Sequence, residues 1–380
     1  MNISVLYIVS PTRKYAGIER VVDEICDQLA RRYGQELDIT VLHLADYPGH
    51  DLGPRAYRNR MSDVKGRLDL FQVVRREIAR QRYDIIVVPQ IEATVLVWLA
   101  SLGLKRRFVL YLHGNPAHEN THYKAHILFF FFRHWVLKKL TFVFGTSPRQ
   151  LAAFAKEFPS RVAQCWTPNP VRRFDSVEPI ASDRGGTVVF ANVGRFCRQK
   201  GQDLLLDAFA QVLRARPHAR LKLVGYGDEE ADLTERASRL GLGDAVSFEH
   251  HPQDPQAVLR RADIYVSTSR WEGWSLAICE ALRFGLPVVS TDCEFGPSDI
   301  LIDPRLGTLV PPDDVDTLAA KMIQYMDNLE TEKNYGAYRI AYVDRFDASV
   351  VVKAHAAALL SAAGSRAGHE VDALIDAVQY

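Results

Sequence analysis

Residues 263–292, DIYVSTSRWEGWSLAICEALRFGLPVVSTD, carry the clearest indication of how this chain folds. It begins with a β-branched run (263–269), passes through a loop and an amphipathic segment, and ends in a second β-branched run (287–292). Continuous apolar runs on either side of a helical pattern predict a parallel β-α-β unit whose strands are buried on both faces. Glu272 and Glu280, with seven residues between them, lie among these apolar residues, and we expect them to bind a ligand.

The same alternation of apolar runs and amphipathic segments extends outward over almost the whole sequence. It predicts an α/β protein of two doubly wound, Rossmann-like domains that face a central cleft, with ligands at the carboxyl ends of the strands. The first domain is expected over 1–176 and the second over 177–347, with a linker at 168–186, and the helical segment 348–380 is expected to return to the first domain. Predicted strands are 3–9, 38–44, 84–89, 108–114, 141–147, 187–194, 221–227, 245–250, 263–269, 287–292 and 307–311, and predicted helices of the first domain are Ile18–Tyr33, Leu68–Arg82, Thr94–Leu102 and Ala125–Leu140.

Length and charge agree with this division. A chain of 380 residues exceeds one ordinary core, and 47% hydrophobic with 24% charged residues is typical of a globular protein. The net charge of +1 conceals an asymmetry, because residues 1–176 carry 26 Lys and Arg against 16 Asp and Glu. A basic first half favours an anionic partner, which could be a phosphate-bearing substrate, a lipid headgroup or nucleic acid. Chance, with charge complementarity between the domains, is the alternative.

The cysteines and the apolar runs bear on location. Five cysteines are scattered without a CxxC pair, which favours a reducing compartment over a disulfide framework or a structural zinc site. No run of about 18 apolar residues is present, and the amino-terminal segment is typical of a first strand. We therefore expect a cytoplasmic protein.

The residues after the predicted strands suit a nucleotide sugar. Gly273 lets the backbone approach a ligand closely, and a helix that opens near Trp274 presents free N–H groups to phosphate. A carboxylate that accepts from two vicinal hydroxyls binds ribose in dinucleotide enzymes, and Glu280 is placed for that role. Arg195 and Lys200 follow the strand at 187–194 and are the cations expected on a diphosphate.

These residues also resemble a known family. EGWSLAICE (272–280) and GRFCRQKG (194–201), with VGYGDE (224–229) and STDCEFGPSDIL (290–301), are similar to retaining glycosyltransferase family 4, which has the GT-B fold. In the first domain the resemblance rests on AGIER (16–20), LHGNP (112–116) and GTSP (145–148). It implies catalytic roles for Glu272, His113, Arg195 and Lys200, and donor binding by Gly17, Gly225, Gly273, Trp274, Ser275, Leu276 and Glu280. Glu272 would contact the donor hexose, and no metal or cofactor is implied besides the nucleotide-sugar co-substrate.

The implied reaction is metal-independent transfer of a hexosyl group with retention at the anomeric carbon. The overall resemblance is to α-mannosyltransferases of xanthan-type exopolysaccharide assembly, which implies GDP-mannose as donor and a polyprenyl-diphosphate-linked oligosaccharide as acceptor. The in-class alternative is UDP-glucose, UDP-galactose or a UDP-N-acetylhexosamine. Outside the class, a GT-B-like epimerase and a non-catalytic nucleotide-sugar-binding subunit stay open.

An aromatic and basic segment, HYKAHILFFFFRHWVLKKLTF (122–142), indicates where a lipid-linked acceptor would be met. Its composition is typical of an interfacial helix that binds an anionic membrane surface, although a buried core helix is the alternative. We expect peripheral association with the inner face of the cell membrane and no nucleic-acid partner. The residues expected at the membrane are Phe129, Phe130, Phe131, Phe132, Trp135, Lys138 and Lys139.

Two short patterns imitate metal sites. His118-Glu119-Asn120-Thr121-His122 fits the H-E-x-x-H zincin pattern, but Pro116 and the Asn-Thr pair make a poor helix interior, so we expect a loop. Asp314-Val315-Asp316 imitates a metal-binding DxD, but after Pro311-Pro312 it predicts a helix amino terminus.

Overall fold

The computed structural model describes residues 2–9, 11, 17–47, 53–115, 123–174, 186–251 and 256–364. The chain divides into two units. The first, unit 1, comprises residues up to Pro170 together with those from Phe346 onward, and the second, unit 2, is Val171–Arg345. The boundaries expected at 176 and 347 therefore lie at 170 and 345 in the structure.

Unit 1 is built on a seven-stranded parallel sheet. Its strands are β1 (Ile3–Val9), β2 (Leu37–His43), β3 (Arg58–Met61), β4 (Ile85–Pro89), β5 (Arg107–Leu112), β6 (Leu140–Gly145) and β7 (Ala163–Trp166), in the order β3-β2-β1-β4-β5-β6-β7. The strand order reverses between β1 and β4, which is the position where doubly wound sheets bind ligands.

Helices cover both faces of this sheet. They are α1 (Gly17–Tyr33), α2 (Arg67–Arg80), α3 (Ile91–Ala100), α4 (Tyr123–Phe131) and α5 (Pro148–Glu157), joined by the last helix of the chain, here α14 (Ala348–Ala362). A π-helical turn (Phe132–Val136) and a 3-10 turn (Leu137–Lys139) extend α4. Leu6 and Leu110 belong to the core cluster that includes α2 to α5, whereas α14 packs on α1 and on the opposite face of the sheet. Ser147 caps α5 by accepting from the Gln150 N–H at 3.1 Å.

Unit 2 is built on a six-stranded parallel sheet. Its strands are β8 (Val188–Val193), β9 (Ala219–Val224), β10 (Val246–Glu249), β11 (Ile264–Ser267), β12 (Val288–Thr291) and β13 (Gly307–Val310), in the order β10-β9-β8-β11-β12-β13. The strand order reverses between β8 and β11. The loops that leave these two strands stand at the position where doubly wound sheets bind ligands.

The helices of unit 2 are α6 (Gln202–Ala215), α7 (Glu230–Arg239), α8 (Gln256–Leu259), α9 (Leu276–Arg283), α10 (Pro297–Ile300), α11 (Val315–Asp327), α12 (Leu329–Lys333) and α13 (Gly336–Val343). Asp314 caps α11 by accepting from the Thr317 N–H at 2.9 Å, as the sequence predicted. Among the described residues of the whole chain, no helix is both long and apolar enough to cross a bilayer.

Candidate active site

The two loops at the strand-order reversal of unit 2 are bound to each other. The Thr268 hydroxyl donates to the Lys200 carbonyl at 3.0 Å, the Arg270 N–H donates to the Gln199 carbonyl at 2.8 Å, and the Gln199 amide donates to the Trp271 carbonyl at 2.9 Å. Gly201 joins the first loop to α6 with φ of 64°, and a Cβ at this position would lie 2.2 Å from the Thr268 carbonyl oxygen. Only glycine fits this left-handed, closely packed position. The loops thus form one rigid platform.

Lys200 and Glu272 meet on this platform. The Lys200 ammonium donates to Glu272 Oε1 at 2.5 Å, and the Ser269 hydroxyl donates to the same oxygen at 2.7 Å. Glu272 is buried, with 5% of its surface exposed. A buried carboxylate is stable only when it is paired and hydrogen-bonded, and these two donors meet that requirement. Two residues predicted separately from the sequence therefore form one ion pair.

Glu280 lies in the second turn of α9 and is also buried. Its Oε1 is 3.8 Å from the Arg172 Nε, an ion pair that the sequence did not predict. Burial raises the pKa of the Tyr265 hydroxyl, and the negative charges of Glu272 and Glu280 raise it further. Tyr265 donates to the Val193 carbonyl at 3.3 Å, at the end of β8.

Close glycine contacts shape the rest of this edge. A Cβ on Gly225 would lie 1.9 Å from the Gly194 carbonyl oxygen, so the turn after β9 packs directly on the loop that carries Arg195. Gly296 has φ of 88°, and a Cβ there would lie 3.2 Å from the Trp274 Cα and 3.3 Å from the Ser275 nitrogen. The segment before α10 therefore supports the loop that holds Glu272.

The entry into α9 differs slightly from the prediction. The helix begins at Leu276 with Ser275 as the N-cap, instead of near Trp274. Gly273, Trp274 and Ser275 are buried, and Ser275 makes no side-chain cap hydrogen bond. Their contribution to a ligand would come from the backbone N–H groups of the loop and first turn. Arg195 is exposed, and its guanidinium contacts the Gln199 side chain at 3.4 Å.

His113 and Gly17 belong to unit 1. His113 follows β5 and is buried, its ring lies 4.0 Å from the Tyr111 ring centroid to centroid, and burial lowers its pKa to about 3. Tyr111 also contacts the ring of His355 on α14 at 5.4 Å, and burial together with His113 lowers the pKa of His355 to about 3. His355 was not predicted as a site residue, because a histidine in an Ala-rich helix belongs to no motif.

Gly17 is the first residue of α1, and a Cβ built on it meets no atom of the described residues within 4 Å. Packing among these residues therefore does not require glycine there. A second residue that the sequence did not mark is Gln90, which follows β4 at the strand-order reversal. Its φ is 66°, and its N–H donates to the Tyr111 carbonyl at 3.0 Å. Non-glycine residues with positive φ are strained and concentrate at functional sites.

The segment 122–142 presents two faces. Phe129 and Phe132 are buried and pack with Phe154 and Phe158, so their assignment as membrane contacts is wrong. Helical periodicity is the reason, since residues three apart face the same side and this side faces the core. The other predicted contacts are exposed, with exposed fractions of 55% for Phe130, 37% for Phe131 and 46% for Trp135, and with Lys138 and Lys139 at the surface.

The H-E-x-x-H pattern at 118–122 lies outside the described residues. In the part of the chain that the structure describes, no group of three or more His, Cys, Asp and Glu side chains could hold a metal ion.

Two family models match the two units. "Glycosyl transferase 4-like domain" matches residues 16–170, and "Glycosyl transferases group 1" matches residues 178–341. Curated relatives include the lipopolysaccharide 1,6-galactosyltransferase of Escherichia coli, which is 29% identical over 48% of this chain and 54% of its own length. Phosphatidyl-myo-inositol mannosyltransferase of Mycobacterium leprae is 33% identical over 44% of each chain. The matches span between 19% and 54% of the length of the curated relatives.

Solved structures resemble the chain over nearly its whole length. HepE of Anabaena, in complex with UDP and glucose, superposes with a TM-score of 0.78 over 95% of this chain and 100% of its own, at 21% identity. At this identity the likeness concerns the fold. It confirms the predicted fold class, two Rossmann-like domains of the GT-B type.

Proposed function

We propose that this protein transfers a hexosyl group from a nucleoside-diphosphate sugar to an acceptor hydroxyl, because a glycosyl transferase family model matches each of its two units. The observation that carries this proposal is the Lys200–Glu272 pair at the strand-order reversal of unit 2. A cation and a carboxylate on one rigid platform suit a ligand that offers a phosphate beside sugar hydroxyls.

In the proposed mechanism the two cations act on the leaving group. Lys200 and Arg195 neutralise the negative charge that develops on the departing nucleoside diphosphate, a role for which no metal is required. Glu272 positions the hexose by accepting from its hydroxyls, and Glu280 accepts from the ribose. His113, kept neutral by burial, is a hydrogen-bond partner for the transferred sugar and not a cationic acid.

Retention at the anomeric carbon is part of the proposal. No role as a nucleophile is given to Glu272 or His113. Reaction on one face of the sugar, with a leaving phosphate oxygen taking the acceptor proton, accounts for retention without a covalent intermediate. Product analysis by NMR of the anomeric proton tests this, and an inverted linkage would contradict it.

GDP-mannose is our first choice of donor. The resemblance to α-mannosyltransferases supports it, as does a mannosyltransferase among the relatives. A UDP-hexose is the second candidate, because the similar HepE structure holds UDP and glucose and another relative is a galactosyltransferase. Calorimetry with a panel of GDP- and UDP-sugars decides between them. Binding of a UDP-sugar alone would overturn the first choice.

The acceptor is proposed to be a polyprenyl-diphosphate-linked oligosaccharide of exopolysaccharide assembly, which the protein reaches by docking on the cytoplasmic membrane surface. Exposed Phe130, Phe131 and Trp135 support this, because adjacent aromatic side chains at a protein surface are typical of membrane interfaces. Phe130→Ser with Phe131→Ser should release the protein from liposomes, whereas a control with exposed Leu240→Ser and Ile302→Ser in unit 2 should not. Equal sedimentation of both variants would count against docking.

The site itself is tested by Glu272→Ala. Loss of the carboxylate removes a hexose contact and frees Lys200 from its partner, so we expect turnover to fall by about 100-fold or more. Asp327→Asn is the matched control, because Asp327 pairs with Arg216 at 2.6 Å between exposed helix ends of the same unit. Its turnover should stay near that of the wild type. Near-normal turnover of Glu272→Ala would remove Glu272 from the site.

Turnover assays also distinguish a glycosyltransferase from the two alternatives outside this class. A GT-B-like epimerase would release free UDP without a sugar acceptor. A non-catalytic binding subunit would bind a donor in calorimetry and show no turnover with any acceptor. Neither result would fit the transferase.

A further inference from the structure

Unit 1 contains a cavity of about 480 Å³ whose lining includes none of the candidate site residues. Its lining includes Asp84, Arg106, Arg107 and Lys139, which stand just before or at the beginning of β4, β5 and β6. All strands of this sheet run parallel, so the cavity opens at the amino-terminal edge. His113 follows β5 at the other edge, about 20 Å away for a strand of this length.

The cavity is strongly basic. Five cationic side chains line it, and among the described residues its single carboxylate is Asp84, which accepts from the Ser4 N–H at 3.0 Å. The five cations are Arg82, Lys105, Arg106, Arg107 and Lys139, and none forms an ion pair with a described residue. Unpaired cations that converge on one concave surface raise the local concentration of anions.

Arg106 shows how little of this positive charge the described residues compensate, since Asp84 is the single carboxylate of the lining and acts on Arg106 less than burial and Arg82 do. Its two terminal nitrogens donate to the carbonyls of Lys105 and Ile78 at 2.9 and 3.0 Å, while its buried Nε has no partner among the described residues. Burial first, and then the neighbouring Arg82, lower the pKa of the Arg106 guanidinium. An anion bound in the cavity would offset the repulsion between the Arg106 and Arg82 guanidinium groups.

The cavity is continuous with the exposed aromatic surface. Helix α4 and the π-helical turn after it pack on α3, and Trp98 of α3 lines the cavity. Lys139, the last residue of the 3-10 turn, also lines the cavity. Tyr123, Phe130, Phe131 and Trp135 are exposed along this segment. The segment runs from the edge that carries His113 to the edge that carries the cavity. One flank of unit 1 therefore presents aromatic side chains beside a basic cavity.

We propose that this cavity binds the phosphate headgroup of an anionic membrane lipid. The proposal deepens the docking that the proposed function includes. Aromatic side chains beside basic ones suit the boundary between headgroups and acyl chains, where rings insert and cations bind phosphate. A nucleic acid would instead require an extended basic groove with rings that stack on bases, whereas here the cations line one compact cavity. The headgroup site is distinct from the donor and acceptor sites, because a sheet's length separates it from His113.

The test uses the full-length protein and vesicles of phosphatidylglycerol mixed with phosphatidylcholine, with pure phosphatidylcholine vesicles as reference. The cavity variant is Arg82→Gln/Lys105→Gln/Arg107→Gln. The control variant, Arg31→Gln/Arg32→Gln/Lys353→Gln, removes the same charge from α1 and α14 on the other face of the sheet. Each basic residue near an anionic surface contributes about a fivefold gain in affinity, so the cavity variant should bind mixed vesicles about 100-fold more weakly.

The control variant should stay within about threefold of the wild type, because exposed charges more than a Debye length from the bilayer are screened. Titration with soluble short-chain phosphatidylglycerol should saturate at one site in the wild type and not in the cavity variant. If both variants lose the same affinity for mixed vesicles, overall positive charge and not a specific site attracts the membrane. That result would overturn the inference. Binding of single-stranded RNA in preference to mixed vesicles would overturn it as well.

Donor binding measured by calorimetry without vesicles separates this inference from the proposed function. The cavity variant should bind the donor as the wild type does, since its substitutions lie at the far edge of the unit 1 sheet. Intact donor binding with unchanged vesicle binding defeats the headgroup site alone. If the wild-type protein binds no nucleotide-sugar donor, the proposed function is wrong.

Discussion

The buried pair of histidines in unit 1 makes the stability of this unit depend on pH. His113 and His355 are buried, and burial lowers the pKa of each from 6.5 to about 3. The folded protein therefore keeps both rings neutral at pH values where the unfolded chain binds two protons. Stability is full above about pH 6.5 and falls as the pH decreases toward about 3. From pH 7 to pH 5, each ring should lower the free energy of unfolding by about 2 kcal/mol.

The substitution His355→Leu isolates one of these rings. The variant keeps His113 and also His43, which burial holds at a pKa of about 4, so both contribute equally in the two proteins. We expect the loss of stability between pH 7 and pH 5 to be about 2 kcal/mol smaller in the variant than in the wild type. The packing change also alters the stability of the variant at pH 7. The comparison of pH-dependent losses does not depend on that stability, because each protein is compared with itself at two pH values.

Hydrogen exchange of the β5 and β6 amides, followed by mass spectrometry at both pH values, reports the opening of unit 1 separately from unit 2. His355 packs on residues of these strands, with ring contacts to Tyr111 and to Phe144 at 4.9 Å. A pH-dependent loss that agrees within about 0.5 kcal/mol between wild type and variant would refute a buried neutral His355.

Three further predictions follow from backbone geometry. Gly225→Ala should lower the free energy of unfolding of unit 2 by about 3 kcal/mol or abolish folding in denaturant titrations, because its Cβ would lie 1.9 Å from the Gly194 carbonyl oxygen. Gly17→Ala should leave the free energy of unfolding unchanged in the same assay, since no atom of the described residues lies within 4 Å of a Cβ at this position. It should weaken donor binding in calorimetry if the donor phosphate approaches this helix end. Unchanged affinity would remove Gly17 from the site. Gln90→Gly should stabilise unit 1 by about 1 kcal/mol in thermal unfolding by relieving its positive φ, and should lower turnover if this strain serves the site; destabilisation would contradict the strain.

Most of the fold could be predicted because its strands are buried on both faces. Runs such as those of β1 and β11 are continuously apolar and β-branched, and this pattern does not depend on distant contacts. The strands that were not predicted, β3 and β7, are the edge strands of the unit 1 sheet. β3 has the sequence RNRM and is largely exposed, so no hydrophobic periodicity marks it. The conformation of β3 therefore comes from its pairing with β2, which a sequence pattern does not show.

The aromatic segment shows a second limit of sequence patterns. A continuous helix over 125–140 was predicted, but the chain passes from α4 into a π-helical turn and then a 3-10 turn. Residues 129–132 are all phenylalanine, so residue type does not separate core positions from surface positions. Only the rotation of each residue about the helix axis distinguishes Phe129 and Phe132 from their neighbours. Tertiary packing against Phe154 and Phe158 sets that phase.

At the candidate site, residue types were predictable and pairings were not. Glu272, Glu280 and Lys200 stand in motifs of fixed spacing, so their positions after strands β8 and β11 followed from the sequence. Lys200 and Glu272 are 72 positions apart in the sequence, so no local pattern shows their ion pair, and Arg172 lies in a stretch that resembles a linker. Contacts between loops depend on strand order, and the sequence alone does not give that order.

The Lys200–Glu272 pair also explains why the two predicted diphosphate cations have different environments. A carboxylate as buried as Glu272 would cost several kcal/mol without a partner, so one cation must stay beside it whether or not a donor is bound. Lys200 serves that purpose and is held between Glu272 and the bound loops. Arg195 is exposed on the same loop, and under the proposed function it would be the cation that follows the diphosphate as it leaves. Under that proposal, the carboxylate expected to bind the hexose stays fixed, while the charge expected to assist departure adjusts to its ligand.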